Sequence, residues 1–198
     1  MRTLVPAMPF AMRFLFGNDW LFAPLITRLL LARPSTAALL RTTTAVTMVG
    51  GGLKSNVMPP RATAIVNRRI HPADSVATVL ARDARLLAGT GVAVRALEPL
   101  EPAPVSSTES AAYGTIGEAV RAVFGGDVRV APGLMLGNTD TRHFWSLTTD
   151  IYRHCPTELT MDETKMFHGR DERIAVDNLA RLAAFYATVI VESTTTRH

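Results

Sequence analysis

The alternation of apolar and polar residues predicts a chain of mixed helices and strands. The first 34 residues are apolar but broken by three prolines and by Gly17-Asn18-Asp19, which predicts one or two amphipathic helices. No apolar run reaches the roughly 20 residues that a membrane-spanning helix needs. No cleavage site of small residues follows an apolar core, as it would in a secretory signal. The apolar stripe of this segment is expected to be buried or to face a partner, with core packing favoured over membrane contact, and it comprises Trp20, Phe22, Leu25 and Leu29.

Strand patterns follow the apolar segment. Residues 42–49 are rich in Thr and Val, Gly50-Gly51-Gly52 supplies a turn, and residues 61–70 alternate as in a half-buried strand. Asp74 or Ser75 is a good N-cap for a helix over residues 76–88, and Gly89-Thr90-Gly91 ends that helix. Residues 92–97 predict one more strand. The order strand, strand, helix, strand indicates an α+β fragment of the kind found in ferredoxin-like units.

A proline- and serine-rich segment, residues 98–108, is the best domain boundary in the chain. Beyond it we predict helices over residues 110–124 and 172–191. Residues 127–133 predict a short strand, and residues 134–145 predict a strand that runs into a polar loop. The second half therefore indicates part of an α/β layer, too small for a complete doubly wound sheet.

Composition and charge narrow the function classes. With 198 residues, 47% of them hydrophobic, the chain can bury a core. The net charge is +4, and all but two of the 21 basic residues are arginines scattered along the length, without aromatic interleaving. We therefore expect no nucleic-acid partner. A single cysteine, Cys155, excludes an internal disulfide and a thiolate zinc cluster.

Three segments carry a family resemblance by their order and spacing: NVMPPRATAIVNRRIHP, GLMLGNTDTRHF and MFHGRDERIAVDNL. Together they resemble the di-zinc exopeptidases that include carboxypeptidase S, aminoacylase and glutamate carboxypeptidase. The resemblance is closest to the carboxypeptidase S and N-fatty-acyl-amino-acid synthase/hydrolase branch. It implies an incomplete ferredoxin-like lid or dimerisation domain over residues 1–102, with the apolar helical segment at 1–34. Residues 103–198 would then form the C-terminal part of a zinc-binding α/β catalytic domain.

The resemblance also implies a zinc cofactor, with two ions in complete members and at most a partial site here. His168 matches the family's last metal ligand, and Glu172 matches the acidic residue that follows it. Glu172 can serve beside that ligand or simply as a carboxylate near a helix N-terminus. The family draws its other ligands and its general base largely from His-x-Asp and Glu-Glu pairs. Neither pair occurs in this sequence, so we expect no catalytic residue here.

The substrate-binding residues implied by the resemblance are Arg142, Asp140, Asn56 and Arg69. The planar fork of Arg142 suits a substrate carboxylate, the alternative being a structural ion pair with Asp140. Asn56 can equally be a turn residue before the prolines that follow it. We expect His71 to be structural. The residues expected to shape or pack the 134–145 loop are Gly137, Asn138 and His143.

The function implied is that of a zinc metallopeptidase or amidohydrolase that cleaves an amide next to a free carboxylate, in peptides or N-acyl amino acids. The chain is expected to begin inside the lid and to be inactive alone. The alternative is a non-catalytic dimerisation or interaction module, working as a homodimer or with a separate N-terminal half. With no leader or spanning helix apparent, the default expectation is a cytoplasmic location.

Overall fold

The structure, a computed structural model, describes residues 2–135, 137, 139–160 and 162–195. The chain divides into two compact units, each treated separately below. The first unit comprises residues 1–17, 106–133 and 146–198, and the second comprises residues 18–105 and 134–145. The predicted domain bounds, 1–102 and 103–198, remain a proposal. The regular elements are α1 (Phe10–Gly17), α2 (Asp19–Leu31), α3 (Pro34–Ala37), β1 (Thr43–Gly51), β2 (Ala62–Arg69), α4 (Val76–Leu86), α5 (Ala111–Phe124) and α6 (Val176–Thr195).

Helix α2 opens the second unit and confirms the helical prediction for the apolar segment. Its burial differs from the prediction, because only Ile26 of this helix is buried. Trp20, Leu25 and Leu29 are exposed, so their placement in a core was wrong. Within the described ranges, no single helix is long and apolar enough to cross a membrane. Among the same residues, one broken pair of helices, α1 and α2 with Asn18 between them, reaches that length and composition when counted together.

Strands β1 and β2 confirm the two strands predicted from period-two patterning. They pair antiparallel from Thr43 opposite Arg69 to Gly51 opposite Ala62, with a bulge between Val46 and Met48. The expected half-burial of β2 is wrong, because nearly every residue of both strands is exposed. A strand is buried only where another layer covers its face, and this two-stranded sheet has little cover among the described residues.

Helix α4 begins where the sequence predicts it. The Ser75 hydroxyl accepts a hydrogen bond from the Thr78 amide, and the Thr78 hydroxyl accepts one from the Ser75 amide, which completes a capping box. The preceding Asp74 accepts hydrogen bonds from the Thr42 hydroxyl and, at 3.3 Å, from Arg82. These contacts join the start of the helix to the start of the hairpin and lower the pKa of Asp74, the Thr42 hydrogen bond contributing most.

The strand predicted over residues 92–97 does not form, so the ferredoxin-like arrangement is not confirmed. The sheet contains β1 and β2 alone within the described ranges. Gly89 and Gly91 end α4 with φ of +78° and +75°, as the turn prediction requires. The residues that follow join no described sheet, and Val92 and Leu97 are exposed. Strand propensity alone does not bring a segment to the edge of a sheet.

The core of the first unit lies between α5 and α6. Ala119, Val120 and Phe185 are at most 7% exposed and pack together. Ser110 caps α5 by accepting a hydrogen bond from the Tyr113 amide, which confirms that helix. Helix α6 begins at Val176, four residues later than predicted.

The strand predicted over residues 127–133 is not formed either. Val128 and Val130 nevertheless pack against the α5–α6 core, so their apolar alternation is used for packing without a sheet. The described part of residues 134–145 likewise contains no strand. Large apolar side chains are exposed in both units, among them Leu53 and Met58 of the second unit and Leu147 and Val176 of the first.

Candidate functional site

The loop that carries His168 has an unusual backbone. His168 and Asp171 both have φ of +58°, a region that non-glycine residues adopt sparingly. Gly169 itself is not left-handed, but a Cβ there would lie 3.2 Å from the Met166 carbonyl oxygen. Its amide donates to that same oxygen at 2.9 Å. Glycine therefore serves close packing at residue 169, and the left-handed residues of the loop are His168 and Asp171.

Glu172 braces this loop. Its Oε2 accepts a hydrogen bond from the His168 backbone amide at 3.2 Å. The carboxylate thus contacts the backbone of the candidate ligand and not its imidazole. Residues 172–175 lie outside α6, which begins at Val176, because Glu172 is engaged with the His168 loop. The His168 side chain is exposed.

A zinc site does not fit these residues alone. In the part of the chain that the structure describes, no group of three or more His, Cys, Asp or Glu side chains could hold a metal ion. Structural zinc sites use four protein ligands, and catalytic sites use about three with an open position. His168 with one nearby carboxylate falls short of both.

Arg142 and Asp140 lie on a 3-10 turn, Asp140–His143, in the second unit. The Thr139 hydroxyl caps this turn by accepting a hydrogen bond from the Thr141 amide. Arg142 donates from Nε to Nε2 of His143 at 3.2 Å. Among the described residues no ion pair joins Arg142 to Asp140. Asn138, which was expected to shape this loop, lies outside the described residues.

Asn56 and Arg69 are both exposed residues of the hairpin. Asn56 lies in the turn that connects the strands, where the Val57 amide donates to the Lys54 carbonyl at 3.4 Å. Arg68 and Arg69 point to opposite faces, as their strand positions require. Arg68 is held by Asp83 of α4 at 2.5 Å, which leaves Arg69 as the arginine directed away from α4.

His71 has a structural contact, as expected. Its Nδ1 accepts a hydrogen bond from the Ala73 amide at 3.1 Å. The candidate residues as a set are divided between the two units. His168 and Glu172 belong to the first unit, and Asn56, Arg69, Asp140 and Arg142 belong to the second.

Two features near α6 were missed by sequence reasoning. Asn178 is 6% exposed, and its amide group donates to the Glu158 carbonyl at 2.8 Å and accepts from the Glu158 amide at 3.0 Å. The His154 ring meets Phe185 edge to face at 5.3 Å between ring centroids, and partial burial lowers the pKa of His154. Asn178 and Phe185 are seven residues apart, which places both on the buried face of α6. This seven-residue spacing was the signal in the sequence for the buried face of α6.

Comparison with known proteins places the chain in a family. The profile of peptidase family M20/M25/M40 matches residues 25–192, so the chain belongs to this family, whose members are generally metal-dependent.

Its relatives are substantially longer. The chain is 42% identical over 179 residues to "Probable carboxypeptidase S-like 2" of Dictyostelium discoideum, covering 90% of this chain and 34% of the relative. It is 41% identical over 187 residues to "N-fatty-acyl-amino acid synthase/hydrolase PM20D1" of Xenopus tropicalis, covering 94% of this chain and 36% of that relative. The chain therefore spans about a third of the length of these relatives. No solved structure matches it significantly.

Proposed function

We propose that this chain is the C-terminal portion of a carboxypeptidase S-like amidohydrolase, which cleaves an amide bond beside a free carboxylate. The family match over residues 25–192 is the observation that carries the proposal. The names of its relatives refer to carboxypeptidase and to N-fatty-acyl-amino acid synthase/hydrolase activity. They support a peptide or an N-acyl amino acid as the substrate class.

In this proposal His168 supplies one imidazole ligand to a metal centre. Three observations support that role: the side chain is exposed, its backbone is held in a left-handed conformation, and Glu172 fixes the loop through the His168 amide. An imidazole held by its own backbone is preorganised, which lowers the entropy lost when a metal binds. The further ligands and the general base would come from the part of the family's length that this chain does not span.

Arg142 is proposed to bind the substrate carboxylate. A guanidinium can donate two parallel hydrogen bonds to a carboxylate, which fixes orientation as well as charge. Arg142 is exposed, and its Nε contact to His143 directs the planar group from a capped turn. Asn56 and Arg69, exposed on the hairpin, are proposed as further polar contacts to the substrate. Asp140 is proposed to tune the charge around Arg142.

A chimera tests this proposal. The preceding two-thirds of the Dictyostelium carboxypeptidase S-like relative would be fused to this chain, and amino acid release from N-acyl amino acids would be measured. We expect activity from the chimera and none from this chain alone. His168→Ala should abolish turnover, whereas the control His71→Ala, at a histidine outside the proposed site, should retain most of it. Arg142→Gln should raise KM at least tenfold, since it removes a charge-assisted contact worth about 1.5–3 kcal/mol.

Two results would count against this proposal. Full activity in the His168→Ala chimera would remove the ligand role. Hydrolysis by the isolated chain at the chimera's rate would show that the chain holds a complete site.

A non-catalytic association module is the second candidate function. The hairpin favours it, because Val46, Met48 and Val49 are all more than 60% exposed on strands whose outer edges are unpaired within the described sheet. Exposed strand edges are templates for pairing with another chain. Light scattering after size-exclusion chromatography should then show dimers that Val49→Lys dissociates. A monomer at every concentration would refute this alternative.

A further inference from the structure

The charge of this chain is unevenly distributed. Between Asp19 and Asp74 the sequence contains no acidic residue. The same stretch contains seven basic residues: Arg28, Arg33, Arg41, Lys54, Arg61, Arg68 and Arg69. Only Arg68 among these has an acidic partner in the described contacts.

The two units differ accordingly. The second unit contains eleven Lys and Arg against six Asp and Glu, a net charge of +5. The first unit contains ten basic and eleven acidic residues, a net charge of −1. The positive balance of the whole chain therefore resides in the second unit. Such a field attracts anionic surfaces.

Helix α2 of this cationic unit has an exposed apolar face. Trp20 is 77% exposed, Leu21 56% and Leu29 52%. At 100° per residue, Leu29 lies only about 60° around the helix from the buried Ile26, whereas Trp20, Leu21 and Leu25 fall on the half of the helix away from Ile26. Arg28 lies within the same half. A long arginine side chain there can keep its charge at the polar surface of a lipid layer while its stem lies along apolar atoms.

We propose that the exposed face of α2 docks on an anionic phospholipid membrane. An interfacial helix uses apolar side chains that enter the headgroup region and basic side chains that attract lipid phosphate. Both occur here, and Trp20 at the helix start is the residue type that prefers this boundary. Acidic residues would repel an anionic membrane, and none occurs between Asp19 and Asp74. An anionic membrane supplies both the apolar layer that suits Trp20 and the negative charge that suits the basic residues of this unit.

Helix α6 provides the matched comparison. Leu179 and Ile190 are 56% and 63% exposed, about as much as the α2 leucines, but they belong to the unit of charge −1. If exposed apolar surface alone caused membrane binding, both helices would contribute. If charge and apolar surface act together, α2 should contribute to membrane binding and α6 should not.

The proposal is tested by titrating the full chain with vesicles of phosphatidylcholine, with and without 30% phosphatidylserine. The variant Trp145→Phe leaves Trp20 as the single tryptophan, so its emission reports on α2. We expect a blue shift and co-sedimentation with anionic vesicles only. Replacing Arg28 and Arg33 by Gln should weaken binding about 30-fold, about fivefold for each arginine. Replacing Leu21 and Leu25 by Gln should weaken it about 100-fold, about tenfold for each leucine.

The control variant replaces Leu179 and Ile190 by Gln and should bind like the wild type. Circular dichroism verifies the fold of every variant, and the arginine pair, being fully on the surface, keeps the test valid if the leucine pair misfolds. Binding that is absent, that is equal on neutral vesicles, or that falls equally in the α6 variant would overturn the proposal. So would a Trp20 blue shift without vesicles that appears as protein concentration rises, since a second copy would then cover the face.

Discussion

The two hydrogen bonds between the Asn178 side chain and the Glu158 backbone form a clamp, whose contribution to the stability of the first unit can be predicted. The Asn178 side chain donates to the Glu158 carbonyl and accepts from the Glu158 amide. Asn178→Ala removes both and leaves a small cavity at a site that is 6% exposed. Each net hydrogen bond contributes about 1 kcal/mol. The freed Glu158 groups lie on an exposed residue and can bond to water, so no larger penalty is added. We therefore expect a loss of about 2 kcal/mol.

Urea unfolding followed by circular dichroism at 222 nm measures this loss. The urea concentration at the midpoint should fall, while the slope of the unfolding free energy against urea stays constant. A change of that slope would signal a different denatured state. Asn178→Asp keeps the acceptor but loses the donor. The stability of this variant should lie between those of the wild type and the alanine variant, or below both. The exposed Asn56→Ala serves as the control and should change stability by less than about 0.5 kcal/mol. A loss below that value for Asn178→Ala would refute the clamp.

Two further predictions concern the helix cap and the pH dependence. Ser75→Ala removes the α4 capping box and should cost about 1 kcal/mol in urea unfolding, whereas Ser107→Ala, outside any helix, should cost less. An unchanged midpoint would contradict the cap. Partial burial lowers the pKa of His154 below its usual 6.5, so the unfolded chain binds the proton more readily. Stability should be full above pH 7 and should fall as the pH drops below 6.5. His154→Gln should flatten that part of the urea-midpoint profile, and a wild-type profile that rises on acidification would contradict this sign.

Local signals in the sequence were sufficient for elements whose determinants are local. Ser75 and Ser110 mark the starts of α4 and α5 because an N-cap acts within its own turn. The two hairpin strands were found for a similar reason, since β-branched residues mark β1 and alternation marks β2. The turn was misplaced, because Gly50 and Gly51 pair with β2 as the last residues of β1. The family was found because three motifs keep their order along the chain.

Features that depend on distant partners were not predictable in this way. Residues 92–97 have the composition of a strand but do not pair with an edge of the described sheet, and Trp20 has the character of a core residue without a layer above it. Asn178 appears polar in the sequence, and its burial depends on Glu158, twenty residues earlier. Secondary structure follows from short-range preference, whereas burial follows from what else is present to pack against.

The central claim is that His168 is one ligand of a metal centre that these residues do not complete. Equilibrium dialysis against zinc, with metal quantified per chain, tests it directly when the isolated chain is compared with the chimera. We expect no zinc retained by the isolated chain at low micromolar concentration, and zinc retained by the chimera that falls on His168→Ala. Zinc retained by the isolated chain, or a chimera whose zinc content is unchanged by His168→Ala, would contradict the claim.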